Sequence, residues 1–262
     1  MSAASSKMLK EKLHTKLTTQ FWDPIQTIIL TIGVYLSSQL VASFLILTVP
    51  LLFGVTSSGL ENWLEGAVGQ FMYVLMIEGF VLLLIWGLLR VKKSSFTDIG
   101  LAWPRPKDVG MAVLGFGVYF LLYLVIAAVA KLIFPSLDFN QEQIVGFDTA
   151  RANWELVLVF FSLVVMPPLV EEILARGFLY TGLKTKWPTW VAVVVTSTMF
   201  AVAHLQFGSG APLLWIAAID TFTLSLVLIY LREKTGNLGA PIALHMLKNF
   251  VAFMLLFIFR VR

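Results

Sequence analysis

The sequence has no cysteine and little charge. Only 13% of its 262 residues are charged, whereas about a quarter are in soluble domains. The lack of cysteine excludes disulfides, thiolate metal sites and a thiol protease. The sequence also has no His-Glu-x-x-His, Gly-x-Ser-x-Gly or Gly-x-Gly-Asp segment. A helical zincin, a nucleophile-elbow serine hydrolase and an intramembrane aspartyl protease are therefore excluded as well.

Apolar residues dominate instead. They make up 58% of the chain, and the mean hydropathy is +0.86. Continuous apolar runs reach the ~20 residues that cross a ~30 Å hydrocarbon core as a helix, and they lack the short alternation of a barrel. We predict an all-α, polytopic transmembrane helical bundle that forms one domain from 25 to 262. Its seven predicted spans, with eight as an alternative count, lie at about 25–49, 67–90, 109–134, 154–181, 188–206, 212–231 and 240–259.

The first 24 residues are polar and basic. Their lysines alternate with apolar residues between positions 7 and 22, which predicts a basic amphipathic segment on an anionic membrane surface. A solvated tail is the alternative. Basic residues flank the spans so as to place the N-terminus in the cytoplasm and, with seven spans, the C-terminus outside. Arg260 and Arg262 oppose that last placement. The net charge of +4 thus reflects membrane orientation, and no nucleic-acid partner is predicted.

Three charged residues lie inside one apolar run, "VVMPPLVEEILARGFLY", residues 164–180. A charge near the middle of a membrane costs ~2.5–3.5 kcal/mol and is usually functional. Glu172 and Arg176 are four residues apart, the favourable spacing for an ion pair. Glu171 points ~100° away and stays available as a general base. Pro167 and Pro168 predict a helix kink just before the glutamates. A purely structural pair between two helices is the alternative.

Two further motifs follow in separate spans. Phe200 and His204 share one helical face, as do His245 and Asn249. Together with Glu171, these side chains can deprotonate a water molecule and stabilise an oxyanion. Glu171 and the two histidines would also suit a zinc site with an open position. The predicted chemistry is amide hydrolysis inside the membrane.

In this order, the three motifs resemble those of the CPBP family, the CAAX prenyl protease type II and bacteriocin-processing (Abi) membrane proteins. The resemblance covers about residues 154–259 and includes "REKTGNLGAPIALH" before the third motif. It implies a multi-helix membrane fold whose catalytic cavity opens towards the cytosol. It also implies that Glu172 and Arg176, with Phe200 beside them, support the site.

The resemblance implies a catalytic role for four residues. Glu171 would be the base that activates water, and His204 would help to orient that water. His245 and Asn249 would bind the substrate carbonyl or its oxyanion. The cofactor stays open, because a zinc ion held by Glu171, His204 and His245 and a metal-free glutamate mechanism both fit the set.

We therefore expect an intramembrane endopeptidase in a prokaryotic cell membrane, acting on a peptide or membrane protein. A prenylated CAAX-type substrate is an open alternative. Two other functions remain: a non-catalytic immunity or partner-binding protein of the same fold, and a proton-coupled transporter. The transporter predicts paired broken helices in corresponding halves, whereas the sequence shows one Pro-Pro pair.

The predicted spans conflict with the motifs at His204 and His245, and two acidic residues in the spans belong to no motif. In seven vertical spans, His204 would lie ~24 Å and His245 ~8 Å from the inner side, so they could not meet. The motifs favour a span 188–206 that is strongly tilted or begins outside the hydrocarbon, or a preceding helix that is shifted by the proline break. Glu78 and Asp220 also lie near the middle of spans. We expect one of them to pair with Lys248 or Arg176.

Overall fold

The structure is a computed structural model that describes residues 21–139, 141, 143, 145–207 and 212–260. Within these residues the chain forms eight helices and no strand, which confirms the all-α prediction. The predicted basic amphipathic segment lies almost entirely outside the described residues. The helices are α1 Pro24–Leu52, α2 Ser57–Glu65, α3 Ala67–Val91, α4 Pro106–Ile133, α5 Asn153–Leu183, α6 Thr189–Ala203, α7 Trp215–Thr235 and α8 Gly239–Ile258.

Six of the described helices are long and apolar enough to cross a membrane, namely all except α2 and α6. Each of the six coincides with one predicted span. The remaining predicted span, 188–206, is the apolar helix α6 of 15 residues. At 1.5 Å per residue it is about 22 Å long, which is shorter than the ~30 Å hydrocarbon core. The bundle thus has six full-length helices and one shorter apolar helix.

Several helix ends meet at one end of the bundle. The Lys184 ammonium, just after α5, lies 2.8 Å from the Glu233 carboxylate near the end of α7. The Leu238 N–H, just before α8, donates to the Gly100 carbonyl between α3 and α4 at 2.9 Å. Gly100 has a φ of +96°, and a Cβ there would collide with the Arg232 guanidinium. We call this the basic end, because Lys92, Arg105, Lys184, Arg232 and Lys234 lie in or beside these segments.

Helix α5 occupies the middle of the bundle, where it contacts α1, α3, α6 and α8. Its apolar side packs against α1 and α3 in one core cluster. Helices α4, α7 and α8 form a second cluster beside it. Burial of this apolar side fixes the position of α5, and Glu172 and Arg176 of the same helix are fully buried. The α5 residues of the first cluster are Val170, Ile173, Leu174 and Phe178.

Helix α5 continues through its proline pair, and it is irregular on both sides of the glutamates. A π-helical segment, Phe161–Val165, precedes the α-helical segment Met166–Glu172, and a second one, Ile173–Leu179, follows it. A π-helical turn adds one residue and often occurs at a functional site. The prolines thus lie in a short α-helical segment between two widened segments of one continuous helix, and the kink predicted from Pro167 and Pro168 stays a prediction.

Candidate active site

The second glutamate of α5 forms a fully buried ion pair. Arg176 Nη1 lies 2.9 Å from Glu172 Oε1, and both side chains are 0% exposed. The pairing expected from the four-residue spacing is thus present. The Arg176 guanidinium also lies over the Phe200 ring, 4.2 Å from its centre, so Phe200 covers the pair from α6. Removing one partner of such a pair leaves an uncompensated buried charge.

His245 joins the two glutamates. Its Nδ1 lies 2.9 Å from Glu172 Oε1 and its Nε2 lies 3.8 Å from Glu171 Oε2. A carboxylate paired with arginine can only accept a hydrogen bond, so Nδ1 holds the proton in this contact. In the neutral ring, the lone pair then sits on Nε2 and faces Glu171. The sequence did not reveal the contact with Glu172, because the two residues are 73 positions apart.

His204 is oriented by its own helix. Its Nδ1 lies 2.7 Å from the Phe200 carbonyl oxygen, which can only accept, so the Nδ1–H donates and Nε2 keeps its lone pair in the neutral ring. The Phe200 ring lies between the two imidazoles, 4.7 Å from His204 and 5.9 Å from His245, centre to centre. His204 directly follows the last residue of α6, and one phenyl ring contacts both imidazoles. The two histidines therefore meet, and the arrangement of seven vertical spans that kept them apart was wrong.

Glu171 is held less tightly than its neighbour. Its side chain is 31% exposed, and its Oε2 atom is buried without a hydrogen-bond partner in the described part of the chain. The His245 Nε2 atom, at 3.8 Å, is beyond hydrogen-bond distance. Glu171 interacts electrostatically with His204, with Glu78 of α3 and with Tyr35 of α1. It is thus the available carboxylate of the pair.

The side chain of Asn249 is anchored to the backbone of α5. Its Nδ2 donates to the Leu163 carbonyl of α5 at 2.8 Å, which leaves one N–H and the Oδ1 atom for other partners. Asn249 lies one helical turn beyond His245 on α8. The structure thus brings all four predicted catalytic residues, Glu171, His204, His245 and Asn249, around the same stretch of α5.

The three residues named for a metal do not form a metal-ligand group. Within the described residues, which include Glu171, His204 and His245, no three His, Asp or Glu side chains are arranged to hold a metal ion. The two histidine Nε2 atoms still present lone pairs, and these can accept hydrogen bonds from water. The arrangement therefore suits a carboxylate and two imidazoles acting on water.

The membrane interior contains a second charged cluster. Lys248 Nζ lies 2.7 Å from Asp220 Oδ2, and the Tyr119 hydroxyl donates to Asp220 Oδ1. The expectation that Asp220 or Glu78 would pair with Lys248 or Arg176 is thus met by Asp220. Glu78 has no ion pair with another described residue. Tyr119 was missed, and a lone tyrosine in an apolar run gave no signal for it.

The polar residues of α1 and α3 beside Glu171 were also missed, apart from Glu78. Tyr35 interacts electrostatically with Glu171, Glu78 and Tyr73, and the Tyr73 hydroxyl lies 3.1 Å from the Ser43 hydroxyl. The available signal was a polar side chain every four residues along an apolar helix, as at Tyr35, Gln39 and Ser43 of α1. One wall of the site therefore comes from the first two long helices.

The helices that hold the three motifs match a known protein family. Residues 153–251 match the family described as Type II CAAX prenyl endopeptidase Rce1-like. The matched region begins at the first residue of α5 and ends in α8, so it contains all three motifs. No solved structure matches the chain.

Two curated proteins are similar to this chain. An uncharacterized 24.3 kDa protein of Escherichia coli is 30% identical over 94 residues, which are 35% of this chain and 41% of that protein. The membrane-embedded CAAX protease MroQ of Staphylococcus aureus (strain USA300) is 25% identical over 239 residues, 88% of this chain and 87% of MroQ. This integral membrane protein thus carries an Rce1-like domain on the helices that hold all three motifs, and its likeness to MroQ agrees with the resemblance to the CPBP family.

Proposed function

We propose that this protein is an intramembrane endopeptidase in which Glu171 activates a water molecule. The observation that supports it best is the difference between two adjacent glutamates. Glu172 is fully buried and its Oε1 atom is held by Arg176 and His245, whereas the side chain of Glu171 is 31% exposed and its nearest contact to His245 is 3.8 Å. The Oε2 atom of each glutamate has no hydrogen-bond partner among the described residues, so exposure is what separates the two. A general base needs such a free carboxylate within reach of water.

The neighbouring groups supply the rest of the hydrolysis. Glu171 takes one proton from water, and the lone pair on His204 Nε2 accepts a hydrogen bond from the other water hydrogen. The water oxygen bonds to the peptide carbonyl carbon, and the carbonyl oxygen becomes an oxyanion. The free N–H of Asn249 donates to that oxyanion. When the C–N bond breaks, Glu171 returns its proton to the leaving nitrogen. His245 lies between Glu171 and Glu172 and helps to fix their relative positions. An imidazolium at this position would add a second hydrogen-bond donor for the oxyanion through Nε2–H.

We propose a membrane-associated peptide or protein as the substrate. The site lies inside a bundle with six membrane-length helices, so a soluble chain would reach it less readily than a chain already in the bilayer. The name of MroQ describes a CAAX protease, and a prenylated CAAX end is the second substrate class to test.

We further propose that the basic end faces the cytoplasm of a prokaryotic cell and that the site opens there. Lysine and arginine are enriched on the cytoplasmic side of membrane proteins. Along α8, His245 lies six residues from Gly239, about 9 Å from the basic end. Along α5, Glu172 lies eleven residues from Leu183, about 16 Å from the same end. Glu172 and His245 are therefore nearer to this end of their helices than to the opposite ends.

The test is cleavage of a peptide panel by the purified protein in liposomes, read by mass spectrometry in water enriched in ¹⁸O. The panel contains apolar peptides, basic peptides and farnesylated CAAX peptides. Hydrolysis would place one ¹⁸O atom in each new carboxyl group, and the Glu171→Gln variant would release no product. A folded wild type that retains peptides on the liposomes and cleaves none of them would contradict the proposal and indicate a binding protein.

A further inference from the structure

The Leu163 carbonyl of α5 has no backbone partner in its own helix. In an α-helix, this carbonyl would accept from the N–H four residues later, and in a π-helical turn from the N–H five residues later. Those positions are Pro167 and Pro168, and proline has no N–H. The nearer N–H of Met166 already donates to the Phe161 carbonyl. Both helical donors of this carbonyl are therefore missing.

A side chain of the third motif takes the place of those donors. Asn249 Nδ2 donates to the Leu163 carbonyl at 2.8 Å. A backbone carbonyl only accepts, so the contact fixes which end of the carboxamide faces α5. The second N–H of the same nitrogen then points away from Leu163. An unanchored asparagine could rotate this group instead.

We propose that Pro167 and Pro168 are positioning residues for Asn249, because they keep the Leu163 carbonyl free to orient its carboxamide. The inference rests on the proposed function, in which Asn249 donates to the oxyanion. It assigns a role to residues that lie outside the three motifs.

The contact also sets the position of α8 against α5. Two hydrogen bonds hold α8 against α5: Asn249 with Leu163, and His245 with Glu172 at 2.9 Å. The two α8 residues are one turn apart, and the two α5 residues lie on either side of the proline pair. With one contact removed, α8 can rotate about the other, and the donor would move away from Glu171. A backbone carbonyl is well suited to this role, because its position depends only on the helix.

A double-mutant cycle tests this proposal in the full-length protein. Pro167→Ala restores the α-helical donor for Leu163, so its carbonyl no longer needs Asn249. In the wild-type background, Asn249→Ala should lower the Tm by about 5 °C, because it leaves a partly buried carbonyl unpaired. In the Pro167→Ala background, the same change should lower the Tm by about 1 °C or less. Pro168→Ala, which restores the π-helical donor, repeats the test if Pro167→Ala does not fold.

Kinetics separates positioning from stability. Pro167→Ala alone should lower kcat about tenfold with KM unchanged, because a misdirected donor weakens transition-state stabilisation only. Pro50→Ala, in another membrane helix and away from the site, is the control and should leave kcat unchanged. Equal Tm losses for Asn249→Ala in both backgrounds would overturn the proposal, as would an unchanged kcat in Pro167→Ala.

The two proposals fail in different ways. A wild type that cleaves no peptide would defeat the proposed function, yet the Tm cycle would still show whether the prolines hold Asn249. Cleavage by the wild type without Tm coupling would defeat only the positioning role of the prolines.

Discussion

The Nδ1 atom of His245 lies 2.9 Å from Glu172 Oε1, the same oxygen that Arg176 Nη1 contacts at 2.9 Å. One carboxylate oxygen therefore joins a residue of the first motif to a residue of the third. Because Glu172 holds the proton-bearing side of the imidazole, the other side faces Glu171. Glu172 thus orients the groups around Glu171, the proposed base.

Glu172→Gln should reduce stability strongly. The change leaves the fully buried Arg176 without its counter-charge, which typically costs about 3–5 kcal/mol of unfolding free energy. Glu233→Gln is the matched control, because Glu233 pairs with Lys184 at the basic end with 43% and 32% of the side chains exposed. A partly exposed pair contributes about 1 kcal/mol or less. Denaturant unfolding measures both losses, and equal losses would show that burial of the pair is unimportant.

The Asp220–Lys248 pair should show energetic coupling. The two side chains touch at 2.7 Å, and residues in one charge network usually couple by about 0.5–3 kcal/mol. We expect Asp220→Asn and Lys248→Gln each to destabilise the protein, and the double variant to lose less than the sum. The unfolding free energies of the four proteins provide the measurement. Strict additivity would mean that the pair contributes nothing to stability.

Gly182→Ala should destabilise the contact between α5 and α1. A Cβ at Gly182 would collide with the Thr27 side chain, which is 0% exposed and cannot move into open space. Overpacking of this kind costs about 1–3 kcal/mol. Gly79→Ala in α3 is the control, because a Cβ there meets nothing within 4 Å. Similar Tm values for both variants would contradict the predicted close approach of the two helices.

Metal chelators should leave cleavage unchanged. The described Glu171, His204 and His245 do not form a three-ligand group, and the proposed reaction uses a carboxylate base. The check compares initial rates before and after treatment with 1,10-phenanthroline. Loss of activity that zinc restores would show that these residues rearrange to hold a metal ion.

The sequence predicted those features that depend on local spacing. Run length located all six membrane-length helices, and the four-residue spacing of Glu172 and Arg176 predicted their ion pair. It could not predict that α6 is too short for a full crossing, because the apolar run extends past both ends of the helix. The contact of Asn249 with Leu163 was equally hidden, since any residue has a backbone carbonyl. Contacts between distant segments appear only once the helices are packed.

The central claim is that Glu171 acts as the catalytic base while Glu172 supports the structure of the site. Measuring kcat and Tm for Glu171→Gln tests it most directly. Glu61→Gln, on the exposed surface of α2, is the control. The account predicts at least a ~10³-fold lower kcat for Glu171→Gln with a Tm within about 2 °C of the wild type, while Glu61→Gln matches the wild type in both. A Glu171→Gln protein that cleaves peptides at the wild-type rate would contradict the account.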